Sequence, residues 1–366
     1  MSDHLLAVLP APAVDRAALA HRLGVSREAV DLAQDADLID LHIDLMIPPR
    51  LWGYDPLVRH EAALGGRFFF GHQDLPRMID GGVSGAMWSL TTNPFRPPLL
   101  RWHTFQRNLA RLAELVERSE GALAFARDPA EYRRARSQGA HAVLLSIQGG
   151  NALEAAPGGL AALPPRLLTR VTLVHLTSSV YGATSTPISQ VQSDRGLTAR
   201  GHALVEALDA DRVFVDLAHI HPDAFWQAVA AHDPSLPLID THTGVDGARR
   251  HWRNLDDAQL KAIADTGGVV GIIFSEAFLA RPGGPRDAGM VVEHMEHAIS
   301  VIGDDHVAVG TDFDGAIVPP RDLATGDTFP RLVQAMLDRG WSDTRIHKVL
   351  GGNFLRAWDQ LRPAAR

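Results

Sequence analysis

The sequence predicts an α/β fold: a (β/α)8 barrel of the triosephosphate isomerase (TIM) type, with an N-terminal helical addition and C-terminal helices. Eight short apolar runs recur along the chain, and stretches with helical spacing separate them. Eight buried strands alternating with helices favour a closed barrel over an open parallel sheet. With 366 residues, of which 46% are hydrophobic, the chain can build one large core. We expect an N-terminal extension at residues 1–36, the barrel at 37–319 and helices packed on the barrel at 320–366.

The first predicted strand lies at residues 37–45, which read Asp-Leu-Ile-Asp-Leu-His-Ile-Asp-Leu. The apolar run is typical of a strand buried on both faces, yet it ends in His42 and Asp44. Side chains two residues apart in a strand share one face. An imidazole nitrogen and a carboxylate oxygen are both good ligands for a divalent metal, so the pair is a candidate metal site. A hydrogen-bonded His/Asp pair at a strand end is the alternative.

The segments around this strand have different characters. Before it, residues 16–34 predict one or two short helices, with a break at Gly24 and a helix cap at Ser26. After it, a long stretch without periodicity runs past Pro48 to the Gly65-Gly66 pair. Loops of that length inside a compact domain are usually functional.

The remaining elements alternate regularly. The other seven predicted strands lie at residues 82–91, 141–149, 171–177, 212–219, 237–243, 268–274 and 306–315. The helical candidates between them are residues 105–119, 200–208, 223–231, 256–266 and 291–302. Two further helices, separated by Gly351 and Gly352, are expected after residue 320. Neither a glycine-rich dinucleotide motif after the first strand nor a Walker-type motif occurs, so nothing supports a nucleotide cofactor.

Composition excludes several classes of function. A net charge of -8 without basic runs argues against a nucleic-acid partner. The chain has no cysteine, so disulfides, thiolate catalysis and cysteine-ligated metals are excluded, and any metal must be held by histidine and carboxylate. Residues 1–23 lack the charged start and apolar core of a signal peptide, and no stretch approaches the ~18 apolar residues of a membrane span. We therefore expect a cytoplasmic protein without a membrane partner.

Polar side chains recur where the predicted strands end, which is where barrel enzymes carry their chemistry. These residues are His42, Asp44, Gln148, His175, His219, His242, Asp312 and Asp314. Each has a structural alternative: a core histidine, a helix cap, or a turn formed by Asp-Gly. A single site at the mouth of the barrel would account for all of these polar residues at once, so we expect a metal site there. Most of the other histidines are predicted to lie on the surface, although His72 is also a candidate for the barrel mouth. This group consists of His60, His72, His103, His202, His221, His251, His294 and His297.

Several motifs occur in a characteristic order from residue 37 to the C-terminal helices. They are His42-x-Asp44, DLPRMIDGGVSGAMWS at 74–89, DLAH at 216–219, THTG at 241–244, Arg253-Asn254, GTDFDG at 310–315 and NFLR at 353–356. Together they resemble the membrane (renal) dipeptidase family of zinc peptidases, within the larger group of metal-dependent amidohydrolase barrels.

The resemblance implies a set of site residues and a cofactor. It places metal ligands at His42, Asp44, His219 and His242, with residue 148 as the bridging ligand. It places the active-site aspartate at Asp312 and substrate contacts at His175, Arg253 and Asn254. The implied cofactor is zinc, as one or two ions.

The chain departs from this family at one position. The family carries a glutamate that bridges two zinc ions, and this chain has Gln148. A carboxylate bridges because it offers two anionic oxygens, whereas glutamine offers one neutral carbonyl oxygen. We therefore expect a second metal ion to bind weakly or not at all.

The leading prediction is a metal-dependent hydrolase that cleaves the amide bond of a dipeptide or an N-acyl amino acid. A metal-activated water would attack, with Asp312 as general base, His175 at the oxyanion and Arg253 on the substrate carboxylate. Loops around Trp52 and Trp88 would form the apolar wall. Two alternatives stay open: a catalytically weakened relative that binds a carboxylated ligand, and another reaction on the same barrel, such as decarboxylation or ester hydrolysis. A homodimer also stays open.

Overall fold

The computed structural model describes residues 14–60, 68–187 and 194–363. The expectations for residues 1–13 and for the Gly65-Gly66 pair lie outside these ranges. Two N-terminal helices form where predicted, α1 (Arg16–Leu23) and α2 (Arg27–Asp35). Ser26 caps α2, because its hydroxyl oxygen accepts a hydrogen bond of 3.1 Å from the Ala29 amide.

A parallel barrel forms the centre of the molecule and confirms the predicted fold class. The strands are β1 (Leu38–Ile43), β2 (Val83–Ser89), β3 (Leu123–Phe125), β4 (His141–Gln148), β5 (Arg170–Thr172), β6 (Phe214–Asp216), β7 (Ile239–Thr243), β8 (Val269–Ile272) and β9 (Val307–Val309). The barrel order is β1-β2-β4-β5-β6-β7-β8-β9. Strand β3, which the sequence did not predict, pairs with residues 141–143 of β4 below the point where β5 joins the same edge. Three residues are too few to carry a periodic signal.

Backbone and side-chain hydrogen bonds join the last strand segment to the first. The Asp312 amide donates to the His42 carbonyl at 3.0 Å, and the Asp44 amide donates to the Phe313 carbonyl at 2.8 Å. Below them, the buried Asp40 carboxylate accepts from the Thr311 amide at 2.9 Å and from its hydroxyl at 2.6 Å. These contacts bring the residues that follow β9 against the end of β1.

Nine α-helices lie between residues 48 and 302 of the described chain. They are α3 (Pro48–Trp52), α4 (Leu75–Asp80), α5 (Pro98–Arg118), α6 (Pro129–Ser137), α7 (Ala199–Ala210), α8 (Pro222–Ala231), α9 (Asp257–Asp265), α10 (Glu276–Leu279) and α11 (Ala288–Ile302). The five predicted helices are all present, although α5 begins seven residues earlier than expected. Three of the unpredicted ones, α3, α4 and α10, have six residues or fewer and therefore show little periodicity.

The C-terminal segment contains more helices than predicted. Instead of two, the structure has α12 (Phe329–Asp338), α13 (Asp343–His347) and α14 (Asn353–Leu361), with a π-helical turn at Lys348–Gly352. A Cβ atom at Gly351 would lie 1.6 Å from the Asp37 carbonyl oxygen. Glycine at this position therefore allows the C-terminal helices to approach the start of β1.

The two ends of the barrel differ in composition. Apolar side chains of the strands form a cluster with Phe354, Trp358 and Leu361 of α14. The polar strand-end residues lie at the opposite, carboxyl ends of the strands. No helix in the described ranges is both long and apolar enough to cross a membrane.

Candidate metal centre and active site

A cavity of about 550 Å³ opens at the carboxyl ends of the barrel strands. Its polar lining includes Asp44, Gln148, His175, His219 and Asp312. Its apolar lining includes Ile47, Phe69, Phe70, Phe95, Leu176, Phe278 and Ile317. The loops expected to form the wall do reach the cavity: Ile47 and Arg50 lie close to Trp52 in the chain, and residues 91–95 follow Trp88. The two tryptophans themselves do not line the cavity, because Trp88 is buried within β2 and Trp52 is exposed.

Two histidines face each other at the base of this cavity. The Nε2 atoms of His219 and His242 lie 2.9 Å apart. Burial lowers the pKa of both imidazoles well below the ordinary value, so both rings are neutral. His219 adopts a left-handed backbone conformation, with a φ of 67°, just beyond the end of β6. This turn takes the chain out of the strand and brings the ring against His242.

A hydrogen-bonded chain behind His242 fixes the tautomer of its ring. The Thr241 hydroxyl donates to the buried Asp216 carboxylate at 2.8 Å, so its oxygen accepts from Nδ1–H of His242, 2.9 Å away. The Nε2 lone pair of His242 then points toward His219. Such outer contacts orient metal-binding histidines and raise their basicity.

A second group contains His42, Asp44 and Asp312. The Nε2 atom of His42 lies 3.6 Å from an Asp44 oxygen and 3.4 Å from an Asp312 oxygen. Among the described residues this nitrogen has no hydrogen-bond partner, although it is fully buried. Ligand atoms of His42, His242 and Asp312 all lie within 4.8 Å of one another. The His42 and His242 rings stack with centroids 4.0 Å apart, which links the two groups.

Asp312 itself has an unusual backbone conformation. Its φ is 60°, in the left-handed region that aspartate tolerates better than most residues. A Cβ atom at position 315 would lie 2.1 Å from Oδ1 of Asp312, so Gly315 leaves room for the carboxylate. The carboxylate therefore reaches into the cavity because of the turn that follows β9.

Arg170 supports both groups from within the barrel and was not predicted. Its guanidinium contacts Nδ1 of His42 and donates, at 3.1 Å, to the Asp216 carboxylate. Arg170 and Asp216 are both fully buried. The ion pair therefore connects the support of His42 with the support of His242.

Gln148 lies between the two groups, at the end of β4. Its Nε2 atom lies 3.1 Å from Nε2 of His219 and 3.3 Å from Nε2 of His242, and its Oε1 lies 3.0 Å from the Thr91 hydroxyl. That hydroxyl also contacts the Asp44 carboxylate and has one proton to give. Rotating the amide by 180° places the carbonyl oxygen toward the histidines and lets Thr91 accept from the amide NH2 while it donates to Asp44. Gln148 can thus supply one neutral oxygen ligand.

These donors fit a divalent cation. The two neutral imidazoles converge on one point, the carboxylates of Asp44 and Asp312 are adjacent, and a buried nitrogen of His42 has no partner in the described chain. Nitrogen and carboxylate ligands in this number suit zinc and other first-row metals. An unpaired buried polar atom costs free energy that a bound cation offsets.

His175 lines the cavity beside the metal-binding groups. It follows β5 and makes an edge-to-face contact with His219, with ring centroids 4.8 Å apart. Burial lowers the pKa of His175 to about 4, so its ring is neutral. Its Nδ1 atom has no hydrogen-bond partner within the described ranges.

Arg253 and Asn254 are buried but do not line the cavity. The Arg253 guanidinium donates to the His242 carbonyl at 2.7 Å, and its Nε finds no partner among the described residues. The Asn254 amide donates to the Arg249 and Phe278 carbonyls at 2.8 and 3.1 Å. Asn254 therefore holds the surrounding loops together, and Arg253 retains an uncommitted donor close to His242.

Asp314 and His72 belong to the supporting structure. The Asp314 carboxylate accepts from the Gly71 and His72 amides at 2.5 and 3.0 Å, and the Asp314 amide donates to Nδ1 of His72 at 3.0 Å. The prediction that most of the remaining histidines lie on the surface is wrong for His221 and His294, which are buried. His72, the candidate for the mouth, is buried against Asp314 and does not line the cavity. These histidines are covered by helices and loops that are distant in the sequence, so the local sequence around each histidine does not predict its burial.

The comparisons with known proteins agree with this geometry. The sequence profile of the membrane dipeptidase family, peptidase family M19, matches residues 26–366. A relative from Klebsiella pneumoniae, described as an uncharacterized protein in the pqqA 5′ region, is 32% identical over 265 residues, which cover 69% of this chain and 96% of the relative. Dipeptidase verJ from Clonostachys rogersoniana is 26% identical over 347 residues, covering 91% of this chain and 86% of the relative.

A solved structure shows the same fold. The crystal structure of dipeptidase AC, a metallopeptidase of family M19, superposes with a TM-score of 0.78 at 25% identity, covering 89% of this chain and 98% of that chain. The profile spans most of the sequence, and the structural match spans most of both chains. The chain therefore belongs to the membrane dipeptidase family, peptidase family M19, and is a metal-dependent hydrolase of the metallo-dipeptidase type.

Proposed function

We propose that the protein hydrolyses the amide bond of a dipeptide or an N-acyl amino acid at a zinc centre in the barrel mouth. The observation that carries the proposal is the convergence of His219 and His242, with Nε2 atoms 2.9 Å apart, beside the carboxylates of Asp44 and Asp312. The family supports the reaction, and similar proteins named as dipeptidases support the substrate class.

The residues proposed to hold zinc are His42, Asp44, Gln148, His219 and His242. When bound, zinc polarises the scissile carbonyl and lowers the pKa of a water molecule toward ~7. Because Gln148 is neutral, it compensates less of the charge of two dications than a glutamate would. We propose that one ion binds tightly and that a second binds weakly.

Asp312 is the proposed general base. Its carboxylate lines the cavity, and one of its oxygens lies 3.4 Å from Nε2 of His42. In this position it takes the proton from the attacking water and returns it to the nitrogen of the leaving amine. A positioned general acid–base contributes typically about 10²- to 10⁴-fold in rate.

His175 is proposed to stabilise the oxyanion of the tetrahedral intermediate. Its neutral ring lines the cavity next to His219 and has an unpaired Nδ1 within the described chain. A neutral imidazole carries one N–H, which can donate to a developing oxyanion without adding a buried charge.

The substrate is proposed to carry a free terminal carboxylate. The buried Arg253 has an Nε donor with no partner in the described structure, and Asn254 fixes the loop from which Arg253 extends. A guanidinium can bind a carboxylate with two parallel hydrogen bonds. Since Arg253 does not line the cavity in the present conformation, a small movement of its side chain accompanies binding in this proposal.

Metal analysis combined with an activity assay tests the proposal. We would measure zinc ions per chain after dialysis and then the hydrolysis of a dipeptide panel, with terminally amidated dipeptides as the comparison. One tightly bound ion, chelator-sensitive hydrolysis and a preference for the free carboxylate are expected. Binding of dipeptides without turnover at every zinc load would instead identify a weakened, ligand-binding relative.

A further inference from the structure

A second pocket, rich in arginine, adjoins the active-site cavity. It has a volume of about 410 Å³, and its charged lining consists of Arg50, Arg96, Arg107 and Arg111, which we call the arginine pocket. We propose that the arginine pocket binds an anionic group, a carboxylate or a phosphate, next to the catalytic centre. As a subsite for an acidic substrate side chain, it rests on the proposed function.

The arginine pocket is continuous with the active-site cavity. Ile47, Arg50 and Asn93 line both. Among the described residues, Arg50 is the only lysine or arginine that lines the active-site cavity. A group bound near Asp44 and Asp312 could therefore extend past Arg50 toward the other arginines.

The arginine pocket concentrates positive charge. In the described ranges, none of the four arginines forms an ion pair with an aspartate or glutamate. Arg107 and Arg111 lie four residues apart on α5, a spacing at which like charges repel. Burial lowers the pKa of Arg50. The negative charge of Asp44 raises this pKa, whereas the positive charges of Arg96 and Arg111 lower it further. An anion in the pocket would relieve this repulsion.

Unpaired polar atoms also face this pocket. Asn108 lines it, is only 1% exposed, and has neither an Nδ2 nor an Oδ1 partner within the described chain. The buried Nε of Arg50 also lacks a hydrogen-bond partner in these ranges. Each unpaired buried polar group costs about 1–3 kcal/mol. A carboxylate or phosphate would accept from Asn108 and Arg50 and from the forked guanidinium groups at the pocket rim.

Two sources of such an anion are distinguishable: an acidic side chain of the substrate and a free inorganic anion. The opening onto the cavity through Arg50 favours the substrate. We would compare kcat/KM for dipeptides that contain Asp or Glu with matched dipeptides that contain Asn or Gln. We expect a preference of about fivefold for the acidic member, the upper end of the range for an exposed ion pair.

Variants assign that preference to the pocket. Arg107→Gln and Arg111→Gln should each reduce the acidic preference about two- to fivefold. Arg111→Lys keeps the charge and should retain most of the preference. Arg134→Gln is the matched control, because Arg134 is an exposed helical arginine on α6, away from this pocket.

A second measurement does not depend on catalysis. Inorganic phosphate is titrated against the zinc-loaded protein at constant ionic strength, and the unfolding temperature is recorded. Equal rates for acidic and neutral dipeptides, with a phosphate-induced rise in Tm that Arg111→Gln removes, would support the anion site with a free anion as ligand. Absence of both the preference and the phosphate effect would overturn the proposal. If no dipeptide is hydrolysed, the proposed function fails, and the phosphate titration still tests whether the arginine pocket binds an anion.

Discussion

Strand β4 carries a buried polar side chain at each end, and the two are treated differently. At its first residue, Nε2 of His141 accepts from the Trp88 indole at 3.1 Å, and Nδ1–H donates to the Val83 carbonyl at 2.9 Å. At its last residue, Gln148 faces two histidine nitrogens that lie within 3.3 Å of its amide. At the start of β4, both ring nitrogens of His141 have hydrogen-bond partners within the protein. At the end of β4, the Nε2 atoms of two neutral histidines lie next to each other beside Gln148.

The same contrast holds for the buried histidines as a group. His294 resembles His141: its Nδ1 accepts from the Val245 amide at 2.9 Å, and its Nε2 lies 3.1 Å from the Leu279 carbonyl. The histidines at the mouth instead contact one another or, in His42 and His175, retain a nitrogen without a partner in the described chain. An unpaired buried polar group costs about 1–3 kcal/mol, so a bound ligand that pairs with these atoms would stabilise the mouth.

Removing the metal should have the largest effect and separates the two ends of the barrel. Chelation should reduce hydrolysis to the background rate, and zinc at 100 times its Kd should stabilise the protein by about 2.7 kcal/mol. Thermal unfolding with and without zinc measures this shift. His242→Gln should remove the zinc-dependent rise in Tm, whereas His141→Gln should lower Tm and leave the rise intact. Equal loss of the rise in both variants would contradict the contrast.

Replacing the proposed general base comes next. Asp312→Asn should reduce kcat by about 10²- to 10⁴-fold, because the carboxylate that takes the proton is lost. Asparagine tolerates the φ of 60° at this position, and the change removes a buried negative charge near Asp44, so the fold should be retained. Asp265→Asn, at an exposed position at the end of α9, is the control. Unchanged kcat in Asp312→Asn with full zinc loading would exclude the assigned role.

The satisfied histidines should make stability depend on pH. Burial lowers the pKa of both His141 and His294 to about 4, whereas an unfolded histidine titrates near ~6.5. Below ~6.5 the unfolded state binds more protons, so stability falls as pH decreases and levels off below about 4. Each group contributes up to about 3 kcal/mol to this loss.

Urea unfolding of the metal-free protein between pH 7.5 and 4.5 measures that dependence. His294→Gln should show a shallower decrease in stability with acid than the unsubstituted protein. His103→Gln, on the exposed face of α5, should keep the full slope. If the His294 variant retained the full slope, the ring would be titrating normally in the folded state.

The sequence predicted the candidate site residues best where polar side chains occur at the ends of apolar strands. His42, Asp44, Gln148, His219 and Asp312 were all singled out because a polar side chain interrupts or ends an apolar run, and the structure brings them together. The barrel itself was predictable because alternating strands and helices leave few other parallel architectures.

The supporting residues could not be predicted from the sequence. Arg170 was placed just outside the predicted strand at 171–177, yet it is the first residue of β5 and reaches both His42 and Asp216. Thr91 and Thr241 are ordinary threonines until the register of neighbouring strands sets them against Asp44 and Asp216. The arginine pocket likewise forms only when α3 and α5 meet. Such contacts depend on relative positions that single-chain patterns do not encode.

The smallest predicted effect tests the contrast between the two ends of β4 directly, because it replaces only the side-chain amide of Gln148 with a carboxylate. Gln148→Glu restores an anionic bridge and should raise the affinity for a second zinc ion about 10- to 100-fold. In the metal-free protein the new carboxylate lies near Asp44, so that state should lose stability through like-charge repulsion. Gln148→Leu, which removes the oxygen at similar volume, should weaken the first ion as well. Calorimetric zinc titration of the three proteins distinguishes these outcomes: identical affinities and stoichiometries would show that residue 148 does not contact the metal, and the polar atoms at this end of β4 would then serve only the structure.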